Sequence, residues 1–321
     1  MRAIRVHQFG DPSVLQMEEI PTPKPGPCQV LVKVHAAGVN PYDTYMRSGD
    51  YGAITPELPY TPGSDAAGVV ESVGPDTYTF EPGARVYTTG TLSGAYAEYA
   101  LCGIDQVHPL PEHTGYSQAA ALYVPYATAY RALFQFAQAK RGETVLIHGA
   151  SGGVGLAAIQ WARRFGLRTI GTAGSEKGLQ LIAEQSAEHC FNHNSPGYQE
   201  EILEATNGRG VNVILEMLAN VNLAHDLKIL AHRGRVVVIG SRGDVQITPR
   251  DLMTRETKVM GVQIWRTPAD EANEIYAAID AGLKNGTVQP VVGLELPLTE
   301  AAESHRRVME PGALGKIVLV P

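Results

Sequence analysis

A glycine-rich turn joins a short apolar segment to a helical segment near the middle of the chain. Residues Thr144–His148 predict a strand, and the run Gly149-Ala150-Ser151-Gly152-Gly153-Val154-Gly155 follows it. In this context Gly152 lets the backbone approach a pyrophosphate, and Gly155 lets the helix pack closely on the strand. The first N–H groups of the helix would then point at the phosphates. The turn therefore predicts a dinucleotide site, although Ala150 stands at the first glycine position of G-x-G-x-x-G.

The next predicted strand ends without an acidic side chain. It runs Thr169-Ile170-Gly171-Thr172-Ala173-Gly174-Ser175, and Glu176 follows only later, beside Lys177. NAD sites usually place Asp or Glu at this tip, where it binds the ribose hydroxyls. A 2′-phosphate adds about −1.5 to −2 charges, and Ser175, Lys177 and Arg242 would suit that charge. We therefore expect NADPH rather than NADH, with the alternative that Lys177 is only a solvated helix residue.

The same turn also satisfies the G-x-S-x-G pattern of serine hydrolases, with Ser151 as the nucleophile. Asp226 or Asp251, followed by His305, would supply the remaining members of a triad in the right chain order. The strand–helix alternation after the turn favours the dinucleotide interpretation.

Cysteine and histidine offer little support for a metal site. Cys28, Cys102 and Cys190 are far apart and show no C-x₂-C spacing. His189 and His193 flank Cys190, but the segment is typical of a strand that leads into a loop. We predict no metal.

Composition restricts the class of protein. Of 321 residues, 44% are apolar and 18% charged, which is typical of a globular protein of about two domains. The net charge of −7 argues against a role in coating nucleic acid. The sequence contains neither a signal-peptide pattern nor an apolar run of membrane-spanning length, and its few cysteines suit a reducing compartment. We expect a cytoplasmic protein.

The elements that position the turn alternate between strand and helix, which predicts a parallel sheet covered on both faces. The chain before residue 124 is instead rich in short strands and turns, and the pieces after about residue 266 do not extend the alternation. The predicted strands are Gln29–His35, Ala66–Val73, Ala84–Tyr87, Tyr96–Leu101, Thr144–His148, Arg168–Thr172, Val211–Glu216, Arg235–Ile239, Lys258–Ile264 and Lys316–Val320. The predicted helices are Ser117–Lys140 (interrupted or begun by Pro125), Val154–Phe165, Glu176–Gln185, Tyr198–Ala205, Leu223–Ala231 and Ala269–Lys284.

Several motifs together resemble the zinc-independent, zeta-crystallin-like NADPH:quinone oxidoreductases of the medium-chain dehydrogenase/reductase superfamily. The resemblance runs nearly end to end. Its motifs are Ala37-Gly38-Val39-Asn40-Pro41, Arg47-Ser48-Gly49, Pro59-Tyr60-Thr61-Pro62-Gly63-Ser64-Asp65, Pro125-Tyr126-Ala127-Thr128-Ala129-Tyr130-Arg131, His148–Gly155, Phe191-Asn192-His193, Glu216-Met217-Leu218-Ala219-Asn220-Val221-Asn222 and Gly240-Ser241-Arg242-Gly243.

The resemblance implies an α/β fold with a central Rossmann domain, a doubly wound parallel sheet, and a GroES-like β-rich catalytic domain. The catalytic domain would comprise residues 1–124 and 266–321, the Rossmann domain residues 125–265, and NADPH would lie in the interdomain cleft. The implied cofactor contacts are Tyr51, Ser151, Gly152, Gly153, Val154, Gly174, Lys177, His193, Asn222, Ile239, Gly240, Ser241, Arg242, Val262, Gln263 and Ile264. The positions that hold zinc in zinc-dependent relatives read Asn40-Pro41 and Ser64-Asp65 here.

Without a Lewis acid, simple alcohol–ketone interconversion is disfavoured, whereas a quinone needs less help because aromatisation favours its reduction. Candidates for contacts to the quinone are Asn40, Tyr45 and Tyr51, which could bind an oxygen or stack on the ring. Arg131 and Arg266 are weaker candidates. The alternative is that Asn40 satisfies turn backbone and Tyr45 packs locally.

Three functions stay open at this point. A quinone reductase is favoured, an alkenal or enone reductase would use the same hydride donor, and a crystallin-like NADPH-binding structural protein is the third. The apolar edge strand near Lys258–Ile264, like the resemblance, suggests a homodimer or homotetramer.

Overall fold

The computed structural model describes residues 1–52 and 55–321, and the chain divides into two compact units. Unit 1 comprises Met1–Val124, Pro290–Pro311 and Gly315–Pro321; unit 2 comprises Pro125–Gln289 and Gly312–Leu314. Within these described residues, none of the helices has the length and apolarity needed to cross a membrane.

The elements follow one another in this order. The strands are β1 (Arg2–Arg5), β2 (Gln16–Glu19), β3 (Gln29–Val39), β4 (Asp65–Val73), β5 (Arg85–Thr88), β6 (Tyr99–Gly103), β7 (Val107–Pro109), β8 (Thr144–Ile147), β9 (Arg168–Ala173), β10 (His189–Asn192), β11 (Val211–Glu216), β12 (Leu230–Val238), β13 (Lys258–Gly261), β14 (Val292–Pro297) and β15 (Lys316–Val320). The helices are α1 (Pro41–Ser48), α2 (Tyr116–Ala119), α3 (Tyr123–Tyr130), α4 (Gly153–Arg164), α5 (Glu176–Glu184), α6 (Tyr198–Ala205), α7 (Ala219–Ile229), α8 (Pro249–Arg255), α9 (Ala269–Asn285) and α10 (Ala301–Arg307).

Unit 1 is built on the long strand β3, whose alternating buried valines face an apolar core. The main sheet has the order β14-β15-β3-β4-β5-β7, and β6 also pairs with β3. The C-terminal strand β15 lies antiparallel to β3, with Leu319 opposite Ala37. The last residues of the chain are therefore part of the same sheet as its first third.

Unit 2 contains a six-stranded sheet with the order β10-β9-β8-β11-β12-β13, and every pairing in it is parallel. From β8 the chain builds outward to β9 and β10 on one side and then to β11, β12 and β13 on the other. This is the doubly wound Rossmann order, and its ligands bind outside the carboxyl ends of the strands where the order reverses, here between β8 and β11. The predicted fold class is confirmed.

Two predicted elements have other bounds in the structure. The helix expected over Ser117–Lys140 is broken: α2 and α3 are separated by a turn, and residues Arg131–Phe136 are π-helical. The strand expected over Lys258–Ile264 ends at Gly261, and a 3₁₀ turn begins at Ile264.

Two further expectations placed an element boundary incorrectly. The strand expected over Tyr96–Leu101 begins only at Tyr99, because the backbone of Tyr96 bonds Ile4 instead. The helix expected over Leu223–Ala231 ends at Ile229, and β12 starts directly after it. Both errors arise from tertiary pairing that local apolar patterns do not specify.

Candidate functional site

The glycine-rich turn has the geometry that close backbone approach requires. Gly149 has a φ of 56°, in the left-handed region, and Gly152 precedes the first residue of α4. A β-carbon at Gly155 would lie 2.5 Å from the Cα of Ala150. Ala150 N donates to the carbonyl of Thr172 at 2.8 Å, which ties the turn to β9. Only glycine therefore fits position 155 without displacing the turn.

The start of α4 can receive an anion. The first bond within the helix runs from Leu156 N to Gly152 O, at 2.9 Å. By helix geometry, the N–H groups of Gly153, Val154 and Gly155 then have no acceptor inside the helix. These donors and the helix dipole suit a pyrophosphate, so the turn present here fits the cofactor that the sequence predicts.

The tip of β9 carries small and basic groups. Ser175 caps α5, since its Oγ accepts from Gly178 N at 3.2 Å. Lys177 is exposed in the first turn of α5. A β-carbon at Gly174 would lie 2.7 Å from His193 Nε2, so this glycine lets the segment after β10 approach the tip.

Residues that follow β11 and β12 lie beside one another. The backbone N–H groups of Ile239 and Gly240 both donate to the carbonyl of Glu216, at 2.8 and 3.2 Å. Arg242 N donates to Asn220 Oδ1 at 2.9 Å. The Oγ of Ser241 donates to Gly243 O at 2.9 Å.

Parallel topology places the predicted cofactor residues of unit 2 at one edge of the sheet. Val262 N donates to the carbonyl of Val238 at 3.0 Å, which brings the end of β13 to the end of β12. The residues that lie in the loops after the strands, or in the first turns of the helices that follow, are Ser151–Val154, Gly174, Lys177, His193, Asn222, Ile239–Arg242 and Val262–Ile264. Their contacts to a cofactor stay a prediction.

Beneath this edge lies a buried group that we call the His148 cluster: His148, Glu216 and Asp226. Their side chains are 5%, 0% and 1% exposed, and His148 Nε2 lies 2.8 Å from Asp226 Oδ1 and 3.6 Å from Glu216 Oε2. Burial raises the pKa of Glu216 to about 7, although the nearby His148 opposes this rise. One feature of the sequence could have indicated this cluster: His148 and Glu216 are polar residues at the ends of two predicted strands. The structure shows that these strands are neighbours.

The His148 cluster is also the one group, among residues 1–52 and 55–321, whose donor atoms lie close enough together to suggest a metal ion. Two tetrahedral zinc ligands at about 2.0–2.1 Å from the metal would be about 3.3 Å apart. The 2.8 Å separation of His148 and Asp226 is instead that of a hydrogen bond.

Unit 1 contains a second buried group, the Lys316 cluster: Lys316, Asp65 and Asn40. Lys316 Nζ donates to Asp65 Oδ2 at 2.7 Å and also to Asn40 Oδ1. Asn40 Nδ2 donates to Asp65 Oδ2 at 2.9 Å, and Asp65 Oδ1 accepts from Val124 N at 3.0 Å. Both polar atoms of the Asn40 side chain are therefore bonded inside unit 1.

The Lys316 cluster does not fit a zinc ion. The family resemblance places Asn40-Pro41 and Ser64-Asp65 at the zinc-ligand positions, but the side-chain oxygens of Asn40 and Asp65 already bind the ammonium of Lys316. A second cation there would be repelled by that charge. Sequence reasoning missed Lys316, which is 276 positions from Asn40.

Asp43 adjoins this cluster in the first turn of α1. Its Oδ2 accepts from Asn40 N at 2.8 Å and from the hydroxyl of Tyr96 at 3.2 Å. Burial raises the pKa of Asp43 to about 7, and the nearby charge of Asp65 adds to this rise.

The predicted substrate tyrosines of unit 1 lie together at α1. Tyr45 and Tyr51 stack with ring centroids 6.3 Å apart, and Tyr42 meets Tyr51 edge-on at 4.7 Å. Tyr45 and Tyr51 are partly exposed. The structure thus brings Tyr45 and Tyr51 together, whereas Asn40 is buried.

The hydrolase alternative receives no support from Asp226 or His305. Asp226 bonds His148, within unit 2. His305 is buried in unit 1, where its Nε2 lies 3.3 Å from the hydroxyl of Tyr96.

Comparison with known proteins agrees with the fold. Residues 26–112 match the alcohol dehydrogenase GroES-like domain, and residues 153–281 match the zinc-binding dehydrogenase family. A quinone oxidoreductase of Homo sapiens is 49% identical over 322 residues, covering 100% of this chain and 98% of that protein. A 2-haloacrylate reductase of Burkholderia sp is 31% identical, covering 98% of each.

A solved structure is similar along its whole length. The native structure of a mycobacterial protein complexed with NADPH has a TM-score of 0.91 and 30% identity, with 100% of both chains covered. The full-length identity to quinone oxidoreductases and the two matched domains establish the relationship. The chain belongs to the quinone oxidoreductase family of the medium-chain dehydrogenase/reductase superfamily.

Proposed function

We propose that this protein is an oxidoreductase that transfers reducing equivalents from NADPH to quinones. The observation that carries the proposal is the glycine turn with its open helix N-terminus, in a chain 49% identical to a quinone oxidoreductase over its full length. The NADPH complex of a 30% identical structural relative supports the choice of cofactor.

Unit 2 would hold the dinucleotide. The N–H groups of Gly153 and Val154 would bind the pyrophosphate, and Ser175 and Lys177 would bind the 2′-phosphate. Asn222, His193 and the segment Ile239–Arg242 would complete the site. When bound, NADPH supplies the hydride, and the protein contributes binding and orientation.

Unit 1 would supply the quinone contacts. Tyr45 and Tyr51 are partly exposed aromatic side chains that can stack on a quinone ring or donate to its oxygen as negative charge develops. Asn40 would act on the substrate only indirectly, because both polar atoms of its side chain are bonded to Asp65 and Lys316. Its proposed role is to fix the start of α1, which carries Tyr45.

A second candidate is reduction of an activated C=C bond. A relative 31% identical over 98% of the chain is a 2-haloacrylate reductase, so the same architecture supports that chemistry. The quinone assignment is preferred because the identity to quinone oxidoreductases is higher.

The test is steady-state oxidation of NADPH against ortho- and para-quinones, 2-haloacrylates and unsaturated aldehydes, with NADH as a control. Acceleration by quinones with a preference for NADPH supports the proposal. Turnover of only the C=C substrates would establish the second candidate. Binding of NADPH without turnover of any acceptor would favour a structural role.

Tyr45→Phe and Tyr51→Phe separate stacking from hydrogen bonding. If a tyrosine donates to the quinone oxygen, its Phe variant loses kcat. For Tyr45, which is not a predicted cofactor contact, KM for NADPH should stay unchanged. If the tyrosine only stacks, the Phe variant retains activity, whereas Tyr→Ala does not.

We also propose that two copies pair through β13, as a homodimer or as half of a homotetramer. β13 forms one edge of the six-stranded sheet, and Val259 on it is 37% exposed. A Val259→Lys variant should shift the molecular mass measured by light scattering towards the monomer. An unchanged mass would argue for another interface.

A further inference from the structure

The His148 cluster connects the glycine turn to the other loops of the proposed cofactor site. His148 directly precedes Gly149, Glu216 ends β11, and Asp226 lies in α7. Glu216 Oε1 accepts from Leu218 N at 2.5 Å and from Asn222 Nδ2 at 3.2 Å. Glu216 therefore fixes both the backbone and one side chain of the loop after β11.

A hydroxyl extends the connection towards β10. Thr172 Oγ1 lies 3.4 Å from His148 Nδ1 and 3.4 Å from His193 Nδ1. Through Thr172, the cluster reaches His193, which is another predicted cofactor contact.

The charges of the cluster favour a shared proton. Glu216 Oε2 and Asp226 Oδ2 are buried, and within the described part of the chain neither has a hydrogen-bond partner while both groups are carboxylates. Two adjacent buried carboxylates cannot both ionise cheaply, even beside one imidazolium. The Glu216 and Asp226 side chains lie close enough for a proton on Glu216 to bond Asp226. Such a proton leaves Glu216 Oε1 free to accept from Leu218 N and Asn222 Nδ2.

The ionisation of the cluster is coupled to its neighbours. Burial lowers the pKa of His148, but the charge and hydrogen bond of Asp226 raise it by more. The net effect is a raised pKa of His148. Among residues 1–52 and 55–321, His193 and Tyr198 are the other titratable groups whose ionisation is coupled to the cluster. Burial lowers the pKa of His193, and it raises the pKa of the Tyr198 hydroxyl. Burial raises the pKa of Glu216 to about 7, so this carboxyl changes its ionisation near neutral pH.

We propose that His148, Asp226 and Glu216 form a proton-sharing positioning cluster, and that loss of the Glu216 proton weakens binding of the dinucleotide. The ionised cluster carries an additional negative charge beneath the turn that must receive an anionic pyrophosphate. It also adds repulsion between two side chains that hold the loops after β8 and β11. This inference rests on the proposed cofactor site.

The experiment measures the Kd of NADPH by the fluorescence of the bound nicotinamide between pH 6 and pH 8.5. For the unaltered protein we expect Kd to rise about tenfold over this range, which is the effect of about one pKa unit of coupling. Glu216→Gln supplies a permanent hydrogen to Asp226 and keeps an acceptor for Leu218 and Asn222. Its Kd should therefore stay near the low-pH value of the unaltered protein at every pH. Glu216→Ala should bind weakly throughout, with its folding checked by circular dichroism.

The matched control is Glu188→Gln, because Glu188 is exposed and pairs with Arg168 away from the cluster. It should retain the pH profile of the unaltered protein. The inference is overturned if Glu216→Gln retains that profile as well, since a group outside the His148 cluster would then be the one that titrates. It is also overturned if the purified protein carries a stoichiometric metal that Glu216→Ala lacks. Failure of the unaltered protein to bind NADPH at any pH would instead contradict the proposed function itself.

Discussion

The ammonium of Lys316 lies 2.7 Å from Asp65 Oδ2, and these two side chains are only 4% and 1% exposed. Removing one partner of such a pair leaves an uncompensated charge in the interior. We expect Lys316→Met to lower the free energy of unfolding by about 3–5 kcal/mol. Urea denaturation would measure this loss.

The double variant Asp65→Asn/Lys316→Met tests the cause, because it removes both charges. It should recover most of the lost stability. The exposed pair Arg168–Glu188, at 3.1 Å, serves as the control. Glu188→Gln should cost less than about 1 kcal/mol, and an equal loss at both pairs would contradict the argument from burial.

A second prediction concerns Asp43, whose pKa burial raises to about 7 from its usual 3.8. Between these values the folded protein keeps a proton that the unfolded chain has lost, so stability falls as pH rises through that window and is flat above it. Asp43→Asn removes this dependence. The free energy of unfolding of Asp43→Asn, relative to that of the unaltered protein, should therefore increase by roughly 2–3 kcal/mol between pH 5 and pH 8.

Urea denaturation at the two pH values measures the Asp43 effect, and the exposed Asp50→Asn serves as its control. Parallel pH profiles for Asp43→Asn and the unaltered protein would show that Asp43 ionises normally in the fold.

A third prediction separates two glycines of the turn. Gly155→Ala places a β-carbon 2.5 Å from Ala150 Cα, so it should destabilise the fold by about 1–3 kcal/mol. At Gly152 the nearest atom to an added β-carbon is 3.5 Å away. Gly152→Ala should therefore fold normally but bind NADPH more weakly, because the methyl group obstructs the pyrophosphate. Thermal denaturation and NADPH titration of both variants would distinguish these effects.

A fourth prediction addresses the choice of cofactor. If Lys177 binds the 2′-phosphate, Lys177→Ala should raise KM for NADPH about tenfold, as loss of a charge-assisted hydrogen bond implies. KM for NADH should not change. Lys284→Ala, which removes an exposed lysine in the last turn of α9, is the control. Equal effects of Lys177→Ala on both cofactors would show that Lys177 is only a solvated residue.

Apolar spacing and flanking glycines were enough to predict the bounds of some single strands and helices. The strands Val211–Glu216 and Lys316–Val320 and the helix Tyr198–Ala205 have the predicted bounds, because apolar spacing and flanking glycines define them. The strand–helix alternation predicted the parallel sheet, and the glycine turn predicted the dinucleotide site. The resemblance supplied the GroES-like domain and the remaining candidate cofactor residues.

The buried polar clusters could not be predicted in the same way. Lys316 and Asn40 meet only because β15 pairs with β3. The partnership of His148 with Asp226 likewise depends on how α7 packs, and 78 positions separate the two residues. Such contacts depend on tertiary pairing, which spacing along one sequence does not reveal.

The absence of a β-carbon at Gly155 has a consequence for the energetics of ligand binding. Because α4 rests directly on the backbone of Ala150, the amides at the start of that helix have little room to reorient. These donors lose their conformational entropy when the chain folds. Binding of an anion therefore costs little further conformational entropy. A rigid turn of this kind gains affinity from its preorganisation rather than from additional contacts.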